Sequence, residues 1–116
     1  MKTTQRTMQH LTKLGIKNDI VEFPANPFSG KRKDLFHIID IIALYPEGIC
    51  GIQACGADRK AHDIKIRESM ASLYWIDCGG ILELWSWRKL KVKRGGKAVR
   101  WTPKIYRYTA EDMQVK

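Results

Sequence analysis

The sequence predicts one α/β domain over residues 1–116, a mixed central β-sheet flanked by helices. Three observations carry that reading. Segments with helical spacing of apolar residues (3–14 and 58–78) alternate along the chain with strand-like runs. Residues 34–55 form two apolar runs rich in β-branched side chains, separated by Pro46-Glu47-Gly48. Residues 81–87 alternate strictly, with Ile81, Glu83, Trp85 and Trp87 on one side and Leu82, Leu84 and Ser86 on the other. A chain of 116 residues that is 44% hydrophobic builds one core and not two.

Taken in order, Thr3 or Thr4 caps a first helix whose face is Met8, Leu11 and Leu14, and Gly15 stops it. Residues 16–23 read as a first strand through Ile16, Ile20, Val21 and Phe23. Residues 24–30, with two prolines and a glycine, break regular structure. Residues 34–45 and 49–55 read as adjacent antiparallel strands joined by a tight turn. Asp58 caps a helix with Ala61, Ile64, Ile66 and Met70 inward. A second helical segment over 69–78 turns Leu73, Trp75 and Ile76 inward and ends at Gly79-Gly80. The last strand, 98–108, carries Pro103, which favours a sheet edge or a bulge.

Within the central run, Asp40 is enclosed by Ile38, Ile39, Ile41 and Ile42. A carboxylate at a buried face is costly unless a cation or several donors meet it, and a metal ion is one such cation. The competing reading is a surface strand with Asp40 facing water.

Charge narrows the class of partner. Twenty-one Lys and Arg against twelve Asp and Glu give a net charge of +9, which points to a polyanion, nucleic acid first. Residues 88–100 hold Arg88, Lys89, Lys91, Lys93, Arg94, Lys97 and Arg100, no acid, and Gly95-Gly96 at the tip. This reads as a basic hairpin that contacts phosphates; the alternative is an edge strand guarded by lysines against aggregation. Lys31, Arg32 and Lys33 form a second cluster, either a solvated loop or a further phosphate contact. The four tryptophans read as packing residues, with base stacking as the other use. No apolar run is long enough to span a bilayer and no signal segment opens the chain, so the expected location is the cytoplasm (the host's, if phage-encoded), with no membrane partner. Three cysteines with no CxxC pair argue for reduced thiols. A zinc site from Cys50, Cys55, His62 and Cys78 matches no standard spacing.

The order of elements, with Asp34-Leu-Phe-His-Ile-Ile-Asp40-Ile-Ile-Ala-Leu, then Ile52-Gln53, then Lys65-Ile66 and Leu84-Trp85-Ser-Trp87, resembles the PD-(D/E)XK nuclease superfamily. More narrowly it is similar to small phage and bacterial proteins likened to Holliday junction resolvases. The resemblance implies a restriction-endonuclease-like fold and hydrolysis of DNA phosphodiesters with Mg²⁺ or Mn²⁺. It implies Asp40 as the metal-binding aspartate, with Gln53 at the position of the second acid and the carbonyl of Ala54 as a further oxygen ligand. Cys55 stands where the motif has lysine and cannot replace an ammonium. Lys65 or His62, from the following helix, would take over that role, and Asp34 and Glu22 are spare carboxylates. Duplex or branched DNA is the implied partner, and a homodimer would suit a two-strand cut. The missing acid and lysine keep open a catalytically silent fold that binds DNA. A protein-interaction domain with an incidental positive surface is a third reading.

Overall fold

The computed structural model describes residues 2–21 and 34–115. Lys31, Arg32, Lys33 and Glu22 lie outside the described residues, as does the end of the expected 16–23 strand. Helix α1 (Thr3–Lys13) buries Leu11 completely, and Met8 packs beside it. Leu14, expected on the same face, is exposed because it already occupies the C-cap. Gly15 takes φ 77°, and the amides of Gly15 and Ile16 return to the carbonyls of Thr12 and Leu11. That pair of bonds closes the helix in a Schellman motif, in which glycine meets no Cβ penalty. Lys2 holds the N-cap without a side-chain bond, so neither threonine caps the helix. Thr7 instead bonds back to the Thr3 carbonyl and accepts the Trp87 indole N–H, each at 2.8 Å.

Strands β1 (Asn18–Ile20), β2 (Ile41–Tyr45), β3 (Gly48–Cys55), β4 (Ile81–Lys91) and β5 (Val99–Arg107) form one sheet in chain order. β1, β2 and β3 are successively antiparallel, β3 and β4 are parallel, and β4 and β5 are antiparallel. A parallel pair needs a crossover; here it consists of α2 (Arg59–Arg67) and α3 (Met70–Asp77). The fold class is therefore the mixed, helix-flanked sheet that the sequence predicts. Among the described residues, no helix is long and apolar enough to cross a membrane.

The sheet is covered on both faces. Ile41, Ala43, Cys50, Ile52, Trp85 and Trp87 pack with Leu11 of α1. On the other face Cys55, Leu82 and Leu84 pack with Ile38, Ile39, Ile66 and Tyr108. Both alternating sets of β4 are consequently buried from Leu82 to Trp87, whereas the segment beyond is exposed. Pro103 lies on β5, an edge strand, opposite Trp87. Among the described residues 34–40 do not extend β2 as expected. Leu35 and Ile39 make an isolated bridge around a turn in which Phe36 (φ 54°) and His37 (φ 63°) are left-handed. Left-handed non-glycine residues cost about 1–2 kcal/mol each. Full burial of Ile38 and Ile39 offsets that cost.

Candidate functional site

The turn over 34–40 ends by delivering Asp40 to the sheet. Its N–H donates to the Ile52 carbonyl at 2.9 Å, and its carbonyl accepts from Val21 N at 2.8 Å. Asp40 is therefore held at the threshold of β2, and the residue is 4% exposed. The reading of Asp40 as a water-facing surface residue is overturned. Oδ2 accepts the Gln53 Nε2–H at 2.7 Å and the Ala54 backbone N–H at 3.0 Å. The hairpin register explains the meeting: Ile41 pairs with Ile52, so the residue before β2 faces the residues after Ile52. Asp40, Gln53 and Ala54 are thus brought together as the sequence reading requires.

Gln53 carries the unusual feature of the site. It is 2% exposed, and its Oε1 has no hydrogen-bond partner among the described residues. A buried acceptor left unmet costs about 1–3 kcal/mol, so such atoms call for a ligand or a function. Asp40, the Gln53 amide oxygen and the Ala54 carbonyl would form an all-oxygen set, which suits a hard cation such as Mg²⁺ or Mn²⁺. Such a set would suit an ion that keeps several waters and takes its other ligands from a phosphate. With Nε2 facing Asp40, coordination by both side chains at once requires the amide to turn over. Among the described residues no group of three His, Cys, Asp or Glu side chains could hold a metal. The drawn zinc site fails on geometry as well: Cys50 lies in the α1-side core, Cys55 in the opposite one, and Cys78 is exposed.

The substitutes for the missing lysine are engaged elsewhere. Lys65 Nζ lies 3.8 Å from Asp34 Oδ2, a loose pair in which the lysine is 43% exposed. His62 Nε2 lies 3.0 Å from Asp58 Oδ2, while its Nδ1 is buried with no partner among the described residues. Asp58 occupies the N-cap position of α2 but makes no capping bond; its carboxylate serves His62 instead. Burial pushes the Cys55 thiol above its ordinary pKa, and the negative charges of Asp58 and Asp40 act in the same direction. Cys55 is a neutral wall of the site and supplies no cation.

The basic hairpin stands at the same end of the sheet. β3 and β4 are parallel and their pairing stops at Cys55 and Ser86, but β4 continues to Lys91. Five further residues at about 3.3 Å each carry Lys89 and Lys91 beyond the carboxyl end of β3. In open α/β sheets ligands gather outside the carboxyl ends of the strands. Val92 N bonds to the Ala98 carbonyl and Gly95 turns at φ 78°, so Lys93, Arg94 and Lys97 crown an exposed tip above Arg100.

A buried ion pair escaped the sequence reading. Glu83, 3% exposed, accepts Tyr45 Oη–H at 2.6 Å and Trp85 Nε1–H at 3.0 Å on Oε1. Arg107 clasps Oε2 through Nε at 3.0 Å and Nη2 at 2.9 Å. The only sequence signal was a carboxylate in register with Trp85 and Trp87; nothing local named its partner on β5. In comparisons with family models, curated proteins and solved structures, nothing matches the chain significantly.

Proposed function

We propose that the protein is a divalent-metal-dependent DNA endonuclease of the PD-(D/E)XK kind, with Asp40 and Gln53 at its centre. One observation carries this reading: a buried carboxylate meets the amide of a buried glutamine, whose oxygen has no partner among the described residues, at the carboxyl end of a parallel strand pair and beside a projecting basic hairpin. Asp40, Gln53 and Ala54 would hold the ion. When bound, it would lower the pKa of a coordinated water and offset charge on the scissile phosphate.

The chain's own residues do the remainder. The hairpin cations bind the phosphate backbone without reading sequence. Lys65 swings on its methylene stem from Asp34 toward the phosphate, where a cation is worth most as charge develops. Burial on both faces of β3 keeps Asp40 and Gln53 in place and excludes bulk water.

The test is incubation of the pure protein with supercoiled, linear and branched DNA in Mg²⁺, Mn²⁺ or chelator. With a single carboxylate among the named ligands, Mn²⁺ should support faster cleavage than Mg²⁺. Asp40→Asn should abolish cleavage while the melting temperature and DNA affinity stay near parental values. Cleavage at the parental rate by Asp40→Asn removes the assignment. If branched DNA is preferred, two copies are needed to cut two strands, which sedimentation would reveal.

A second reading, a catalytically silent DNA-binding module, has an observation in its favour. Gln53 and Ala54 already give Asp40 two donors, and Lys65 and His62 already face other acids. A parent protein that binds DNA but neither cuts it nor binds divalent ions at millimolar concentration decides for that reading.

A further inference from the structure

The α1 side of the sheet carries a cleft that the Asp40 site does not use. It lies between α1 and the β4–β5 ladder and has a volume of about 530 Å³, within the usual range for ligand clefts. Arg6, His10, Lys13, Trp87, Arg100 and Trp101 line it, and among the described residues no acidic side chain does. None of its Arg or Lys residues forms an ion pair among the described residues.

The cleft is organised around one indole. Arg6 Cζ sits 4.1 Å from the ring centroid of Trp101, and Lys89 Nζ sits 5.3 Å from it. A guanidinium held on an aromatic face keeps its in-plane N–H donors available for an anion, with less side-chain freedom left to lose. Lys89 pairs with Trp101 in the ladder, and alternation puts Lys91 on the same face. The cations of the cleft, Arg6 and Lys13, are therefore continued along one face of β4 by a line of two more, Lys89 and Lys91. A small anion would meet one point of such a line, whereas a polyanion meets all of it and relieves the repulsion along it.

We propose that this cleft binds the phosphodiester backbone of a single nucleic-acid strand, with Arg6 and Lys13 contacting phosphates and Trp101 positioning Arg6. The inference rests on the reading of the chain as a nucleic-acid binder, and its choice of a single strand rests also on the Asp40 site. A single strand is favoured by the placement of the two sites. The cleft lies on the α1 face, while Gln53 shares the opposite face with Cys55. A path that touches both must bend around the carboxyl edge of the sheet, which a duplex with a persistence length of about 150 base pairs resists.

The test compares the parent with Arg6→Gln/Lys13→Gln by fluorescence anisotropy, using a labelled oligothymidylate and a labelled hairpin duplex over a salt series. Both substitutions lie on polar positions of α1, away from the buried core. The expected result is at least a tenfold loss of single-strand affinity in the double variant. Its log–log salt slope should fall by about 1.4, the value for two lost phosphate contacts. The loss for the duplex should be smaller, and Mn²⁺ binding by calorimetry should match the parent. Unchanged affinity and slope, while the parent binds the strand, would overturn the cleft alone. A parent that binds no oligonucleotide overturns the nucleic-acid reading and this proposal with it. Displacement of the strand by inorganic phosphate at equal phosphate concentration makes the cleft a lone-anion site and overturns the strand. Preferential binding to phosphatidylserine vesicles, lost in the same variant, overturns it in favour of a lipid surface.

Discussion

Gln53 is the residue on which the proposed chemistry turns. Its Nε2 lies 2.7 Å from Asp40 Oδ2 while its Oε1 is buried with no partner among the described residues. A neutral amide donates to the buried carboxylate, while its own oxygen is left as an acceptor. A glutamate in the same place would reverse the balance. Two carboxylates this close cannot both ionise unless a cation lies between them. Gln53→Glu is therefore expected to be less stable than the parent in chelator, by about 1–3 kcal/mol, the cost of a badly met buried polar group. It should recover that loss as Mn²⁺ is added, because a ligand bound only by the folded state raises stability with its concentration. Thermal melts across a Mn²⁺ titration measure both effects. A melting temperature indifferent to metal in this variant would show that no ion enters the site.

At the scale of elements, a side-chain pair ties the sheet across its width. Glu83 on β4 joins Tyr45 on β2 and Arg107 on β5, and Arg107 also reaches Glu47 in the turn before β3 at 3.5 Å. Burial, followed by the nearby carboxylate, pushes the Tyr45 phenol and the Cys50 thiol well above their ordinary values. Both stay neutral, so Arg107 is the cation that balances Glu83 among the described residues. Removing one partner of a buried pair leaves the other charge uncompensated. Arg107→Ala should therefore cost about 3 kcal/mol, the low end for such losses because the arginine itself is half exposed. A fall in melting temperature of about 10 °C is the corresponding readout for a chain of this length. Arg107→Lys keeps the charge but not the two-pronged contact and should fall between them. An Arg107→Ala variant as stable as the parent would show that the pair does not hold the strands.

At the scale of the molecule, β3 separates two cores, and its cysteines report on both. Cys50 faces the α1 side and Cys55 the α2–α3 side; both are buried, and burial raises both thiol pKa values. Cys78 is exposed at the end of α3. Because the thiolate is the reactive form, only one of the three should react promptly with a disulfide reagent in native buffer. All three should react in denaturant. The two slow thiols become accessible only by opening the sheet, so their rates should follow the global stability of each variant. Prompt reaction of a second thiol in the native parent would contradict burial of β3 on both faces.

The order of elements was written in local patterns: helical spacing in α1, alternation in β4, turn residues at 46–48, and Pro103 on an edge. The meeting of Asp40 with Gln53 was expected from the family resemblance, and the register of the hairpin, Ile41 against Ile52, is what produces it. Whatever depended on distant segments was not. The stretch 34–40 looked like strand, yet buried contacts of Ile38 and Ile39 hold Phe36 and His37 in a left-handed turn. Lys65 had the right residue type for the site, but the placement of α2 pairs it with Asp34, whereas His62 is taken locally by Asp58 one turn earlier. Glu83 with Arg107, and Arg6 with Trp101, join residues far apart in the chain. Periodicity records which face of an element is buried, because that preference acts residue by residue. Which element covers that face, and which charge finds which partner there, is decided when the chain closes on itself and all contacts are chosen together.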